Sequence, residues 1–173
     1  MIAMPPTLGR AQNDVVNDQS SPSFNVFGVV LKFLSTPEQS QSETALLSGM
    51  LGIGAVIPLH SHEDPEVLYF QKGSVEIYTE LNGWINVGLG ETVTIPGDTK
   101  HALRNASGEP ATILTVTGRD LYSFFRELAK PLTDQVAPAA PSPQDLQRLF
   151  EAASKYKYWV ANPMENAAIG IEL

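Results

Sequence analysis

The sequence contains no cysteine. That excludes a disulfide framework and any zinc site built on thiolates, and it agrees with a reducing compartment. Histidine is nearly as scarce, with 3 in 173 residues. Basic residues are few: 11 Lys and Arg stand against 19 Asp and Glu, for a formal net charge of −8. No run of lysines or arginines occurs, so the cationic footprint that binds a phosphate backbone is missing and no nucleic-acid partner is expected. Long apolar runs are lacking too. The longest uncharged, largely apolar stretch is "ALLSGMLGIGAVIPL" at 45–59. It falls short of the roughly 20 residues that cross a bilayer, and its glycines and Pro58 interrupt it. The opening "MIAMPPTLGR" has no basic segment followed by an apolar core, so no secretory leader is expected. The expectation is a cytoplasmic protein without a membrane partner.

What is present reads as short strands first and helices last. Residues 1–24 are polar and predict a flexible N-terminal arm. From Phe24, "FNVFGVVLKFL" is β-branched and aromatic and favours strand. Residues 44–62 predict one long strand or two short ones, with Gly49, Gly52 and Gly54 permitting bends. "EVLYF", "SVEIYTELNGWINVG", "TVTI", "HALRN" and "PATILTVTG" follow at nearly even spacing, with turn residues between them. Asn82-Gly83 is the dipeptide best suited to positive φ in a tight hairpin turn. The pattern predicts an antiparallel sandwich or barrel over 25–118. Residues 119–173 then predict a helical extension packed on it. Asp120 is a candidate cap for a helix carrying Leu121, Phe124, Phe125 and Leu128. "PLTDQVAPAAPSP" is a proline-rich connector. Ser142 and Pro143 open a second helix whose predicted apolar stripe is Leu146, Leu149, Phe150 and Ala153.

Two of the three histidines fall together in "PLHSHEDPE" at 58–66, followed by Glu63, Asp64 and Glu66. Side chains two apart on a strand share a face, so His60 and His62 converge if the segment stays extended. Asp64-Pro65 favours a turn that returns Glu66 to the start of the next strand. His101, opening "HALRN" after the turn "PGDTK", is the third imidazole available. Two readings of these residues stand. Solvated histidines beside a hydrogen-bonded His101 are one. A divalent-metal site with one or two open positions is the other; it suits Fe, Mn, Ni or Co and admits Zn.

The same residues resemble the cupin superfamily. Gly54, five residues, His60-Ser61-His62, three residues, Glu66, six residues and Gly73 match its first motif at every fixed position. Gly90, five residues and Pro96, then His101, three residues and Asn105 match the second. One departure occurs: Asp98 stands where the family has glycine, and Gly97 sits one residue earlier. Asp tolerates left-handed backbone better than most residues, so a turn is affected and not a ligand. The resemblance implies an all-β cupin barrel of the jelly-roll type, with His60, His62, Glu66 and His101 as metal ligands. More loosely, "DLYSFFRELAKP" and "KYKYWVANP" resemble single-domain bacterial cupins grouped with quercetin 2,3-dioxygenases, with Lys157 where glycine is expected.

Strand parity places Leu68 and Phe70 on the face of Glu66, Leu103 on that of His101, and Val56 on that of His60 and His62. Val56, Leu68, Phe70 and Leu103 are therefore the candidate substrate pocket. An apolar surround suits a flat organic molecule better than a sugar phosphate. Three functions stand open. The first is a metal-dependent dioxygenase of the quercetinase-like kind, with Glu66 as a candidate catalytic base. The second is a cupin isomerase, decarboxylase or lyase acting on a small oxyacid or sugar. The third is a non-catalytic metal or small-ligand binder. A homodimer is expected, with "FNVFGVVLKFL" as the nominated edge.

Overall fold

The computed structural model describes residues 21–132 and 142–172. The predicted arm up to residue 20 and most of the proline-rich connector lie outside the described residues.

Burial with a period of two runs through the middle of the chain. In Glu66–Lys72 the side chains of Glu66, Leu68 and Phe70 are buried and those of Val67 and Tyr69 are exposed. Only one face of this strand is covered. Twelve strands form among the described residues. They are β1 (Phe24–Val26), β2 (Val29–Ser35), β3 (Thr44–Leu51), β4 (Val56–Ser61), β5 (Glu66–Lys72) and β6 (Ser74–Thr79), followed by β7 (Gly83–Gly88), β8 (Thr92–Ile95), β9 (His101–Arg104), β10 (Ala111–Gly118), β11 (Lys130–Pro131) and β12 (Trp159–Val160). The helices are α1 (Pro37–Ser40), α2 (Arg119–Leu128), α3 (Pro143–Lys155) and α4 (Pro163–Ala168).

The strands pair antiparallel into two sheets, ordered β11-β1-β2-β3-β10-β5-β8 and β12-β4-β9-β6-β7. Leu51, Leu68, Phe70 and Ile113 from the first sheet meet Val75, Ile77, Val87 and Leu103 from the second in one core. This is the expected cupin barrel with helices at its C-terminal end. The extension is not helical only, because it adds β11 to one sheet and β12 to the other. A second core, Val26, Leu31, Leu121, Phe124, Leu128, Ala152 and Ala153, fixes α2 and α3 over β1 and β2.

Four local expectations change. "FNVFGVVLKFL" is not one strand: Phe27 and Gly28 both take positive φ and fold it into the hairpin β1–β2. The β6–β7 hairpin closes between Thr79 and Gly83 over three residues, so Asn82 and Gly83 are not the two central residues of a tight turn. Asp120 does not cap α2. Gly118 is the N-cap and has no side chain, and the Leu121 N–H donates instead to Asp64 Oδ2 at 2.8 Å. The stripe of α3 is also rotated: Leu149, Ala152 and Ala153 face the core, while Leu146 and Phe150 are 42% and 61% exposed. Ser142 does cap α3, in a capping box with Asp145.

Candidate metal centre

The site is assembled from both sheets at one end of the barrel. His60 lies near the end of β4, and His101 opens β9 directly opposite it. His62 follows β4 by one residue, and Glu66 opens β5 in the other sheet. The β4–β9 register shifts between Ile57 and His60. Pro58 lies inside that shift, where a residue without an N–H is tolerated.

The imidazoles of His60, His62 and His101 each offer a nitrogen, and these atoms lie within 4.8 Å of one another. All three rings are buried, as is Glu66. Each ring is oriented by a backbone carbonyl two residues away. His60 Nδ1 donates to Pro58 O at 2.7 Å, His62 Nδ1 to Asp64 O at 2.7 Å and His101 Nδ1 to Thr99 O at 2.8 Å. A carbonyl only accepts, so each Nδ1 carries the proton and each neutral ring keeps its lone pair on Nε2. His62 Nε2 is buried without a hydrogen-bond partner. Glu66 Oε2 lies 3.1 Å from His101 Nε2 and 3.7 Å from His62 Nε2.

A ring of acceptors facing one another in a buried space needs a cation, either a proton or a metal ion. The imidazoles of His60, His62 and His101 therefore fit a metal ion, and Glu66 lies beside two of them. Three neutral imidazoles and one carboxylate around a divalent ion leave about one positive charge. Without such an ion, Glu66 and the histidines share protons. Burial alone would raise the Glu66 carboxyl, but hydrogen bonds to His101 and His62 outweigh it and hold the group well below its usual range. Burial, reinforced by His101, pushes His60 well below its usual 6.5. Burial opposes a proton on His62, yet the hydrogen bond to Glu66 prevails and raises it.

The predicted pocket residues divide. Leu68, Phe70 and Leu103 come together, packed in the barrel core. Val56 does not join them. It pairs with Arg104 and is 37% exposed, while Ile57 pairs with Leu103. The register shift after Ile57 reverses strand parity, which sequence periodicity does not reveal.

Two further residues matter that sequence reasoning passed over. Asp64 orients His62 through its carbonyl and caps α2 through its carboxylate. Tyr158, from the "KYKYWVANP" segment, stacks on His60 with ring centroids 5.0 Å apart and planes 3° apart. It lies 5.3 Å from the His62 ring, and Phe124 stacks on it at 4.3 Å. Burial, then the Glu66 carboxylate, push its phenol well above 10. Arg104 is structural, bonded to Glu76 at 2.6 Å and lying 4.1 Å from the Trp84 ring.

Residues 50–117 match the family model described as "Cupin domain". The two facing sheets and the histidine cluster agree with that match. Among solved structures, the chain is similar to the polyketide cyclase RemF from Streptomyces resistomycificus, at 17% identity and a TM-score of 0.50, covering 79% of this chain and 89% of that one. It is similar to a sugar phosphate isomerase of the cupin superfamily from Silicibacter pomeroyi, at 22% identity and 0.47, covering 54% and 61%. It is also similar to the DMSP lyases RdDddP and RnDddQII, at 19% identity and 0.47, covering 52% and 47%. The chain thus spans less than two thirds of the isomerase and the lyase structures. No curated protein matches it.

Proposed function

We propose that this protein is a divalent-metal enzyme acting on a small oxygen-donor molecule, and that oxidative cleavage of an enediol or catechol-like compound is its reaction. One observation carries the metal reading: three buried imidazoles, each with Nδ1 committed to a carbonyl, turn their Nε2 lone pairs toward one another beside Glu66. Ni, Co, Mn, Fe and Zn all suit this donor set. A bound ion would supply Lewis acidity, lowering the pKa of a substrate hydroxyl as it does that of water. Glu66 is our candidate for taking the released proton, since it reaches the imidazoles from the opposite sheet. Leu68, Phe70 and Leu103 exclude water beneath it.

A second reading, an isomerase, decarboxylase or lyase of a small oxyacid, is favoured by the packing itself. Leu68, Phe70 and Leu103 close on one another in the core, which suits a small ligand better than a three-ring flavonol.

Protein depleted of metal and reconstituted separately with Ni, Co, Mn and Fe tests both. Oxygen uptake with quercetin or simpler catechols supports the first reading, and Glu66→Gln should then retain metal and lose most turnover. No uptake with any ion, together with oxygen-independent turnover of an oxyacid, supports the second. Elemental analysis comes first: about one ion per chain is expected, and none in the His60→Ala/His62→Ala variant.

A further inference from the structure

We propose that Tyr158 is a positioning residue for the metal centre: lying flat between His60 and Phe124, it fixes the plane of the His60 imidazole and ties metal affinity to the docking of the C-terminal extension. The inference rests on the metal reading above and adds to it a residue that acts through a ligand and not as one.

His60 is the imidazole with the fewest other restraints. His62 and His101 both have Glu66 Oε2 near Nε2, at 3.7 and 3.1 Å. Among the described residues no hydrogen bond or ion pair joins His60 to Glu66. The His60 Nδ1 donates to Pro58 O at 2.7 Å, and Pro58 lies inside the register shift of β4 against β9. One such bond fixes the direction of the N–H. It leaves the ring free to turn about the N–H···O line, because acceptor geometry at a carbonyl is broad.

The Tyr158 ring removes that freedom. It lies on the His60 ring with centroids 5.0 Å apart and planes 3° apart. Phe124 backs its other face at 4.3 Å and 9°. Phe124 is itself buried in the second core, where α2 packs over β1 and β2. The imidazole therefore cannot tilt without moving a tyrosine that is held from behind. The backbone keeps that tyrosine in register. Its N–H donates to Ala153 O at 2.8 Å at the end of α3. On the other side Trp159 pairs with Ser61 and Val160 with His60, and Lys157 bonds Glu63 at 2.9 Å. A side chain placed only to fill space between barrel and helices would need volume; this one also needs a flat face. Coupling of this kind is reciprocal, so a docked extension favours the metal and the metal favours the docked extension.

The test titrates metal-depleted protein with Co(II), read by calorimetry and by the d–d absorption spectrum, which reports ligand geometry. Tyr158→Phe keeps both stacks and should match wild type in affinity and spectrum. Tyr158→Leu stays apolar but has no flat face. It should lose about tenfold in Co affinity and change the spectrum, as expected for loss of a group that orients a histidine ligand. Phe124→Leu, which does not touch the imidazole, should shift both readouts in the same direction by less. Leu149→Ala loosens the same core away from the stack. It should lower the melting temperature and leave Co affinity and spectrum as in wild type. Wild-type affinity and spectrum in both Tyr158→Leu and Phe124→Leu overturn the inference and leave the metal centre standing. A loss in Leu149→Ala as large as that in Tyr158→Leu also overturns it, because general loosening then accounts for the effect. If Tyr158→Leu does not fold, Phe124→Leu against Leu149→Ala decides by the same criteria. A wild-type protein that binds no Co overturns the metal reading, and this role with it.

Discussion

Single atoms decide how the ligand loop closes. A Cβ placed on Gly97 would stand 2.1 Å from the Glu63 carbonyl oxygen, so glycine is required there by contact with backbone. Asp98 then takes the left-handed conformation, φ 62°, and its N–H donates to His62 O at 2.7 Å. The departure from the cupin motif is thus explained, since Asp is among the residues least penalised at positive φ. Because the clash at Gly97 involves no movable side chain, Gly97→Ala should destabilise the protein by about 2 kcal/mol or more in urea unfolding. It should also lower metal affinity by displacing His62. Asp98→Gly, which relieves strain without touching a ligand, should leave stability within about 0.5 kcal/mol of wild type or slightly above it. Equal losses from the two substitutions would refute this account of the turn. At this scale the histidines and Glu66 were legible because motif spacing fixes them. Tyr158 was not, since nothing in "KYKYWVANP" shows that the chain returns to β4.

At the scale of elements, periodicity located α3 correctly and misjudged its face. The i, i+3, i+4 rule selected Leu146, Leu149, Phe150 and Ala153, but Ala152 is the fully buried position. Alanines carry too little hydrophobic signal to outvote a phenylalanine, although only alanine fits where helix and sheet approach closely. Phe150→Ser should therefore change unfolding free energy by less than about 0.5 kcal/mol. Leu149→Ala, within the second core, should cost about 2 kcal/mol. The reverse order would restore the predicted stripe. The same helix has an acid limit. Lys130, then Ser142, lower the Asp145 carboxyl to about 2, below its ordinary 3.8. A depressed carboxyl contributes stability above its unfolded pKa and loses it as pH falls through the folded value. Docking of α3 should accordingly weaken between about pH 4 and pH 2. Asp145→Asn should remove that pH dependence from the helical circular dichroism signal. The α2 cap escaped the sequence because Asp64 is 57 residues away from the N–H it satisfies.

For the whole molecule, the barrel was legible from evenly spaced strands and turns, while the sheet partners of its C-terminal extension were not. A dimer remains our proposal, with its surface reassigned. The outer edge of β1 already pairs with β11, which removes the nominated edge. Met50, Val67, Tyr69 and Val116, each 37–43% exposed, give the outward face of the seven-stranded sheet an apolar patch bordered by Lys32 and Lys72, on a chain of net charge −8. Light scattering at micromolar concentration should exceed the 18.7 kDa of one chain, and Val67→Glu with Tyr69→Glu should return it to that mass. Metal should also raise the melting temperature, because it binds the folded ring of imidazoles; a hundredfold excess over Kd is worth about 2.7 kcal/mol. No shift on adding Ni, Co, Mn, Fe or Zn would count against the centre. The pairing of β12 with β4 bears on biosynthesis as well. On the ribosome, His60, His62 and His101 emerge well before Tyr158 and Val160 are made, so the nascent barrel presents an unguarded ligand strand. A metal ion that met the chain at that stage would find His60 and Ser61 without the β12 residues that pair with them in the finished fold.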